Sequence, residues 1–258
     1  GKSTLVFEVL ADHRGGAEIA GLEQFERVVT IEQAAITRMK RSNVATYSGV
    51  YALIRNLFAK TEAARAAHCP ASHFSFNTPG GRCENCQGMG VVENNMLFFA
   101  NVEVVCPVCH GQRFNETVLN VKYNGRSIKE VLDLTVEEAV EFFAGQAKLI
   151  RMLEVLMEAG LGYLLLGQPL TTLSGGEAQR LKLASEMGRQ QENAVFVFDE
   201  PTIGLHPLDV RTLLRILDRL VEKGATVIVI EHDLDVIANA DYLIDMGPGG
   251  GEDGGRIV

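Results

Sequence analysis

The sequence predicts an α/β fold with a parallel sheet, interrupted by a mixed α+β insertion organised on four cysteines. Three observations carry this. Val195-Phe196-Val197-Phe198 and the run from Ala225 to Ile230 are rich in β-branched and aromatic residues without polar alternation, the pattern of strands covered on both faces. Between them, a stretch beginning after Pro207 and ending at Gly224 reads as a helix, and strand–helix–strand in that order gives a parallel pair. Upstream, Cys83-Glu84-Asn85-Cys86 and Cys106-Pro107-Val108-Cys109 stand 19 residues apart and mark a module of a different kind.

Taken in order, the chain opens Gly1-Lys2-Ser3-Thr4 and runs into Leu5-Val6-Phe7, and residues 2–11 read as the first turns of a helix. There is no initiator Met, basic leader or cleavage pattern, so the chain reads as a piece of a longer one with no targeting segment. Val28-Val29-Thr30-Ile31 is a short buried strand. From Arg38 the composition changes, with Arg38, Lys40 and Arg41 clustered, and the cysteine module occupies about residues 76–116. Thr135-Val136-Glu137-Glu138 is a capping box opening a helix over Val136–Phe143. A second helix, about Ala147–Ala159, has apolar residues at helical spacing and stops near Gly160. From Leu173 the order is helix, strand, helix, strand. The boundaries that follow are 1–37 and 165–258 for the α/β part and 38–164 for the insertion.

Composition excludes several classes. At 258 residues, 47% hydrophobic and 22% charged, the chain can bury a real core and is not disordered. No run approaches 18 uninterrupted apolar residues, which rules out a membrane-spanning helix. The net charge of −9 argues against a coat of basic charge while leaving room for a local basic face.

The two Cys-x-x-Cys pairs match a four-cysteine zinc pattern: each pair presents two thiolates from one turn, and the intervening segment folds back as a hairpin. Two disulfides or unrelated thiols are the other reading, the disulfides disfavoured without a secretory signal; the same absent signal, with reduced cysteines, places the chain in the cytoplasm. Four thiolates leave no open coordination position, so the metal holds the fold and does no chemistry. Cys69 beside His68 reads as a surface or partly buried pair outside the metal site.

Gly1-Lys2-Ser3-Thr4 matches the last four positions of a P-loop, in which Lys2 reaches the β- and γ-phosphates of ATP and the Ser3 hydroxyl holds Mg²⁺. Asp199-Glu200 ends an apolar strand at the carboxyl edge where α/β folds place ligands; Asp199 suits Mg²⁺ and Glu200 an attacking water, although such a pair can also simply cap a strand. Ser174, Gly175 and Gly176 open a helix and offer free amides to an anion. Ser174 lies 25 residues before Asp199, and His232 lies 33 beyond it.

Leu173-Ser174-Gly175-Gly176-Glu177-Ala178-Gln179-Arg180, the run Phe198 to Pro207 (FDEPTIGLHP) and Val229-Ile230-Glu231-His232-Asp233 together resemble the ATP-binding cassette superfamily. FSFNTPGGRCENCQGMG (74–90) and RSNVATYSG (41–49) resemble one branch of it, the A subunits of the bacterial excinuclease, in their carboxy-terminal half. The resemblance implies an ABC-type ATPase domain with a zinc-bearing signature insertion. It makes Lys2, Ser3 and Thr4 the phosphate loop, Gln33 the Q-loop glutamine, and Ser174, Gly175 and Gly176 the signature. Asp199 and catalytic Glu200 follow, then a D-loop at Gly204-Leu205-His206 and a γ-phosphate-contacting switch histidine at His232.

It further implies ATP hydrolysis when two cassettes meet, a homodimer, recognition of damaged double-stranded DNA in nucleotide excision repair, and delivery to the excinuclease partner UvrB. Ala34-Ala35-Ile36-Thr37-Arg38-Met39 departs from the branch's Ser-Pro-Ile-Gly-Arg-Thr type run and keeps open a paralogue tied to tolerance of DNA-intercalating drugs. Arg38, Lys40, Arg41 and Arg82 are the candidate DNA-phosphate contacts. Met96 to Phe99, in the hairpin, could meet a distorted duplex or pack a small core. Two rivals remain: a DnaJ-like protein-binding zinc module, suggested by Cys-x-x-Cys-x-Gly, and a transporter ATPase subunit, which normally lacks such an insertion.

Overall fold

The structure is a computed structural model that describes residues 2, 4–6, 20–31, 39–94, 102–187, 191–203, 207–249 and 255–258. It divides into two compact units: Gly1–Arg38, Glu158–Leu161 and Leu173–Val258 form the first, and Met39–Met157 with Gly162–Thr172 the second.

The first unit is built on a parallel sheet in the order β1 (Arg27–Ile31), β4 (Ala194–Asp199), β5 (Thr226–Ile230). Val29 pairs with Phe196, and Phe196 with Val227. β4 is central, and from Ala194 to Phe198 it is buried throughout. β1 and β5 are only half-buried along most of their length, where the sequence suggested full burial; among the described residues each is an edge strand and lacks a neighbour on one side. Helix α8 (Gly175–Met187) buries Leu181, Leu183 and Ala184, and Arg27 of β1 forms a half-buried ion pair with its Glu186 at 2.8 Å. Helix α9 (Pro207–Glu222) is amphipathic: Val210, Leu213, Ile216, Leu217 and Leu220 are buried at spacings of three, three, one and three. It ends at Glu222, and the chain turns away at Gly224, whose φ of +82° suits a residue without Cβ. Lys2 and residues 4–6 are helical; the rest of the 2–11 helix expectation lies outside the described residues.

The second unit carries short helices: α1 (Val44–Tyr47), α2 (Val50–Ala59), α3 (Glu62–Ala66), α4 (Glu116–Asn120), α5 (Ile128–Leu132), α6 (Val136–Phe142) and α7 (Ala147–Glu158, whose last residue lies in the first unit). Side chains cap most of them. Thr135 and Glu138 form the expected capping box of α6, and Ser127 with Glu130 forms another at α5. α2 turns Val50, Tyr51, Ile54 and Phe58 inward, where Phe58 meets Phe74 and Tyr123 at ring-centroid distances of 5.4 and 5.8 Å. Each such buried aromatic contributes roughly 1.5–3 kcal/mol. The return segment stitches this core together: Ala45 N–H donates to Leu166 O, and Gly167 N–H to Leu132 O at 2.7 Å. A Cβ at Gly167 would lie 2.8 Å from that same carbonyl. β2 (Val91–Asn94) and β3 (Val102–Val105) form the antiparallel hairpin expected between the cysteine pairs. No helix among the described residues is long and apolar enough to cross a membrane.

Candidate functional site

In the first unit, chemistry-bearing side chains gather at the carboxyl ends of β4 and β5. Asp199 is the last residue of β4, and Glu200 follows with φ of +44°, the left-handed region that a glutamate adopts only at some cost. The turn is held because Glu200 N–H donates to Ile230 O at 2.9 Å. It places the Glu200 carboxylate 3.5 Å from Nε2 of His232, and Lys2 Nζ donates to that same nitrogen at 3.3 Å. One imidazole nitrogen cannot accept from the lysine and donate to the carboxylate at once, so a proton on Nε2 decides which partner His232 keeps.

Glu231 is the residue sequence reasoning missed. Its Oε1 accepts from the backbone N–H and the hydroxyl of Thr202 at 2.8 and 2.6 Å, and its Oε2 from the N–H groups of His232 and Asp233 at 2.8 and 3.1 Å. Burial pushes this carboxyl up, but the bonds from Thr202, His232 and Asp233 outweigh it and hold the group below its ordinary value. One carboxylate thus ties the loop carrying Glu200 to the loop carrying His232. The sequence shows it only within the run Val229 to Asp233, and an acid between a strand end and a histidine has no pattern of its own that would assign it this role.

Ser174 is the N-cap of α8: its backbone N–H donates to Glu177 Oε2 at 2.7 Å, and its hydroxyl accepts from Glu177 N–H at 3.3 Å. The hydroxyl proton stays available to an incoming anion, beside exposed Gly175 and half-buried Gly176. Thr4 is exposed. Gly1, Ser3, Gln33, Arg38 and the expected D-loop 204–206 lie outside the described residues, as does the stripe 96–99.

In the second unit Cys83, Cys86, Cys106 and Cys109 are buried, with all four sulfurs within 4.8 Å of one another. Each pair sits on a turn that closes onto the carbonyl of its first cysteine, through Gly88 N–H to Cys83 O in one and His110 N–H to Cys106 O in the other, and in both turns the two residues after the second cysteine, Gln87-Gly88 and His110-Gly111, take positive φ. This explains Cys-x-x-Cys-x-Gly in both halves. A metal–sulfur bond of about 2.3 Å gives a tetrahedron edge of about 3.8 Å. The Cys83–Cys106 and Cys86–Cys109 sulfur separations of 4.0 and 3.6 Å bracket it. Gly90 N–H and the Asn85 side-chain amide donate to the sulfurs of Cys86 and Cys106, both at 3.2 Å, as donors to thiolates do. The hydrogen bond from Cys109 N–H holds Cys106 below the ordinary thiol range, whereas burial pushes Cys83 and Cys109 above it. Four thiolates this close need a cation, and the set fits zinc.

Cys69 is buried, contrary to the surface or partly buried placement expected of it: its backbone N–H folds back onto Ala64 O of α3 at 2.8 Å, and its thiol donates to Ala67 O at 3.5 Å; neither it nor exposed His68 joins the cluster. Of the DNA candidates, Lys40 and Arg41 are exposed. Arg82 is committed to Glu84, with Nε 3.1 Å and Nη2 3.0 Å from one carboxylate oxygen.

A parallel α/β sheet with Lys2, Asp199, Glu200 and His232 at its carboxyl edge, joined to a four-cysteine insertion, is the arrangement of an ABC-type ATPase fold. No protein-family model matches the chain. Over its whole length it is 50% identical to the UvrABC system protein A of Lactiplantibacillus plantarum and equally so to that of Bacillus subtilis, covering 28% of each. The solved UvrA2 of Deinococcus radiodurans superposes on all of it with a TM-score of 0.92 at 52% identity, the match covering 32% of that chain. The chain is a homologue of UvrABC system protein A, and it spans a little over a quarter of the length of these relatives.

Proposed function

We propose that this chain is the ATP-hydrolysing, zinc-bearing part of a DNA-damage-recognition protein of nucleotide excision repair. The observation that carries the reading is the convergence of Lys2, Glu200 and His232 where β4 and β5 end. There Lys2 and His232 bind the terminal phosphates of ATP, and Glu200 orients the attacking water, its carboxylate aimed by the strained turn. Glu231 keeps both loops in register. Ser3 and Asp199 would hold Mg²⁺, which neutralises phosphate charge when bound, and Gln33 would monitor it. Ser174, Gly175 and Gly176 close the site of a second cassette, so the isolated chain turns over slowly until paired, within a longer chain or as a homodimer. The four cysteines hold zinc as a structural brace.

Lys40 and Arg41 are the exposed cations for backbone phosphates of a distorted duplex, with Arg38 beside them in sequence, while Arg82 contributes less because Glu84 already neutralises it. The duplex would pass to the excinuclease partner UvrB, in the cytoplasm. The run 34–39 favours a second reading, a paralogue serving tolerance of intercalating drugs.

The test is binding of the full-length parent protein, zinc-loaded and at fixed salt, to fluorescent duplexes that are plain, bulky-adducted or drug-intercalated, with and without ATP. A nucleotide-dependent preference for the adduct is expected. Preference for the intercalated duplex alone selects the paralogue, and no DNA binding overturns both readings.

A further inference from the structure

We propose that Arg113 is the internal counter-cation of the zinc–thiolate cluster, a positioning residue whose charge sets how tightly the four cysteines retain their metal. The inference rests on the zinc reading above. A divalent ion with four thiolates carries a net double negative charge, and burying such charge is costly unless an opposite charge is buried with it.

Arg113 is planted to supply that charge. It lies just past the second cysteine turn, with φ of +70°. Its carbonyl accepts from Cys83 N–H at 2.9 Å, and its Nε donates to Gly88 O at 2.7 Å, inside the first turn. Its stem runs along Gly90, whose absent Cβ would come within 3.1 Å of Arg113 Cγ; the N–H of Gly90 is the donor to Cys86 sulfur. The guanidinium carbon stands 4.0 Å from the centroid of the buried Phe76 ring.

The guanidinium is largely out of water, which weakens its charge, while Tyr51 and, after it, Cys86 and Cys109 act in the opposite sense. No carboxylate forms an ion pair with it among the described residues. Arg82, beside Cys83 in the chain, is already neutralised by Glu84. A weakly hydrated, permanently charged, planar cation that stacks on an aromatic ring is what such a place needs, and lysine meets only the charge requirement. Gly90, at a positive φ, also clears the space through which the Arg113 stem passes on its way to Gly88 O.

The experiment measures zinc release from the 258-residue chain to a chromogenic chelator, after confirming one zinc per chain. Arg113→Met should release zinc about 10- to 100-fold faster, the loss usual for an outer partner of a metal site. Arg113→Lys keeps the charge and should stay within about threefold of the parent. Arg65→Met, on the exposed surface of α3, should match the parent. Cys109→His lowers the cluster's negative charge by one, and in that background the effect of Arg113→Met should shrink several-fold. With Co²⁺ in place of zinc, Arg113→Met should move the sulfur-to-metal absorption band to longer wavelength, because uncompensated thiolates give up an electron more easily.

Parent-like release from Arg113→Met, equal lability of the Lys and Met variants, or an undiminished effect in the Cys109→His background would each overturn the proposal, leaving Arg113 a packing residue. If Arg113→Met does not fold, the Lys variant and its band position decide by the same criteria. A parent chain that binds no zinc overturns the zinc reading and this inference with it.

Discussion

Replacing Glu231 by Gln isolates the tie between the Glu200 and His232 loops with almost no change of shape. The carboxylate accepts four hydrogen bonds at 2.6–3.1 Å. A glutamine must point its NH₂ at one pair of donors. Facing Thr202, it strands one N–H while the hydroxyl can turn to accept; facing His232 and Asp233, it strands two. The first orientation is therefore preferred, and it costs one charge-assisted bond plus the charge on the remaining pair, each worth about 1.5–3 kcal/mol. Because Glu231 is only partly buried, water recovers part of this, and a loss of about 2 kcal/mol is expected. For a chain of this length that lowers the melting temperature of the first unit by about 4–8 °C.

The pH dependence adds a signature. The folded-state pKa of Glu231 is depressed, so its stabilisation is complete above the ordinary value of 4.5 and is lost as pH falls through the depressed value. The gap between parent and Glu231→Gln should be constant from pH 6 to 8 and close in acid. Calorimetric melts across that range test both statements. Equal melting temperatures at neutral pH, or a gap that persists into strong acid, would refute the assignment of Glu231 as the tie.

Other outcomes follow from the same geometry. Gly88→Ala sets a Cβ 1.8 Å from Phe76 O at a φ of +79°; it should cost more than about 3 kcal/mol and abolish stoichiometric zinc, read by thermal melts and metal analysis. Glu200→Gln in a paired-cassette protein should retain nucleotide binding while lowering ATP turnover about 100-fold or more, measured by phosphate release; equal turnover would remove Glu200 from the water-orienting role. Glu130 is held down to about 2, chiefly by its hydrogen bond from Lys122 and then by Ser127. Its contribution should be complete above 4.5 and lost as pH falls towards 2, visible as a carboxyl titration by NMR. Exposure keeps the effect on folding under about 1 kcal/mol.

Much of the frame was legible because its signals are local. The β-branched runs at 195–198 and 225–230, the capping box at Thr135 and the stop at Gly224 each declare an element within a few residues, and the structure has them there. The cysteine spacing likewise declared a four-thiolate cluster. What stayed hidden depends on partners distant in sequence. Glu231 bonds to Thr202, Arg113 to Gly88, and Asn85 to the Cys106 sulfur, and a single residue in one of these pairs looks like any other polar side chain. The half-buried edges of β1 and β5 were unreadable for the same reason, since apolar content tells how a strand would like to be covered, and only the pairing order tells what covers it. Arg82 shows the converse: its charge was visible in the sequence, but its commitment to Glu84, two residues away, was not.

The interleaving of the two units sets a timetable for the ribosome. Arg27 of β1 aligns with Ala194 of β4, so the first strand of the sheet leaves the tunnel long before its neighbour exists. At about 5–20 residues per second that wait lasts roughly ten to thirty seconds. Residues Met39–Met157 emerge within it, bringing both cysteine turns and the aromatic cluster around Phe58. The nascent chain would thus bring its four cysteines together and assemble the inserted unit while β1 still waits for β4, and Lys2, made at the outset, would meet Glu200 and His232 only after more than 200 further residues had emerged.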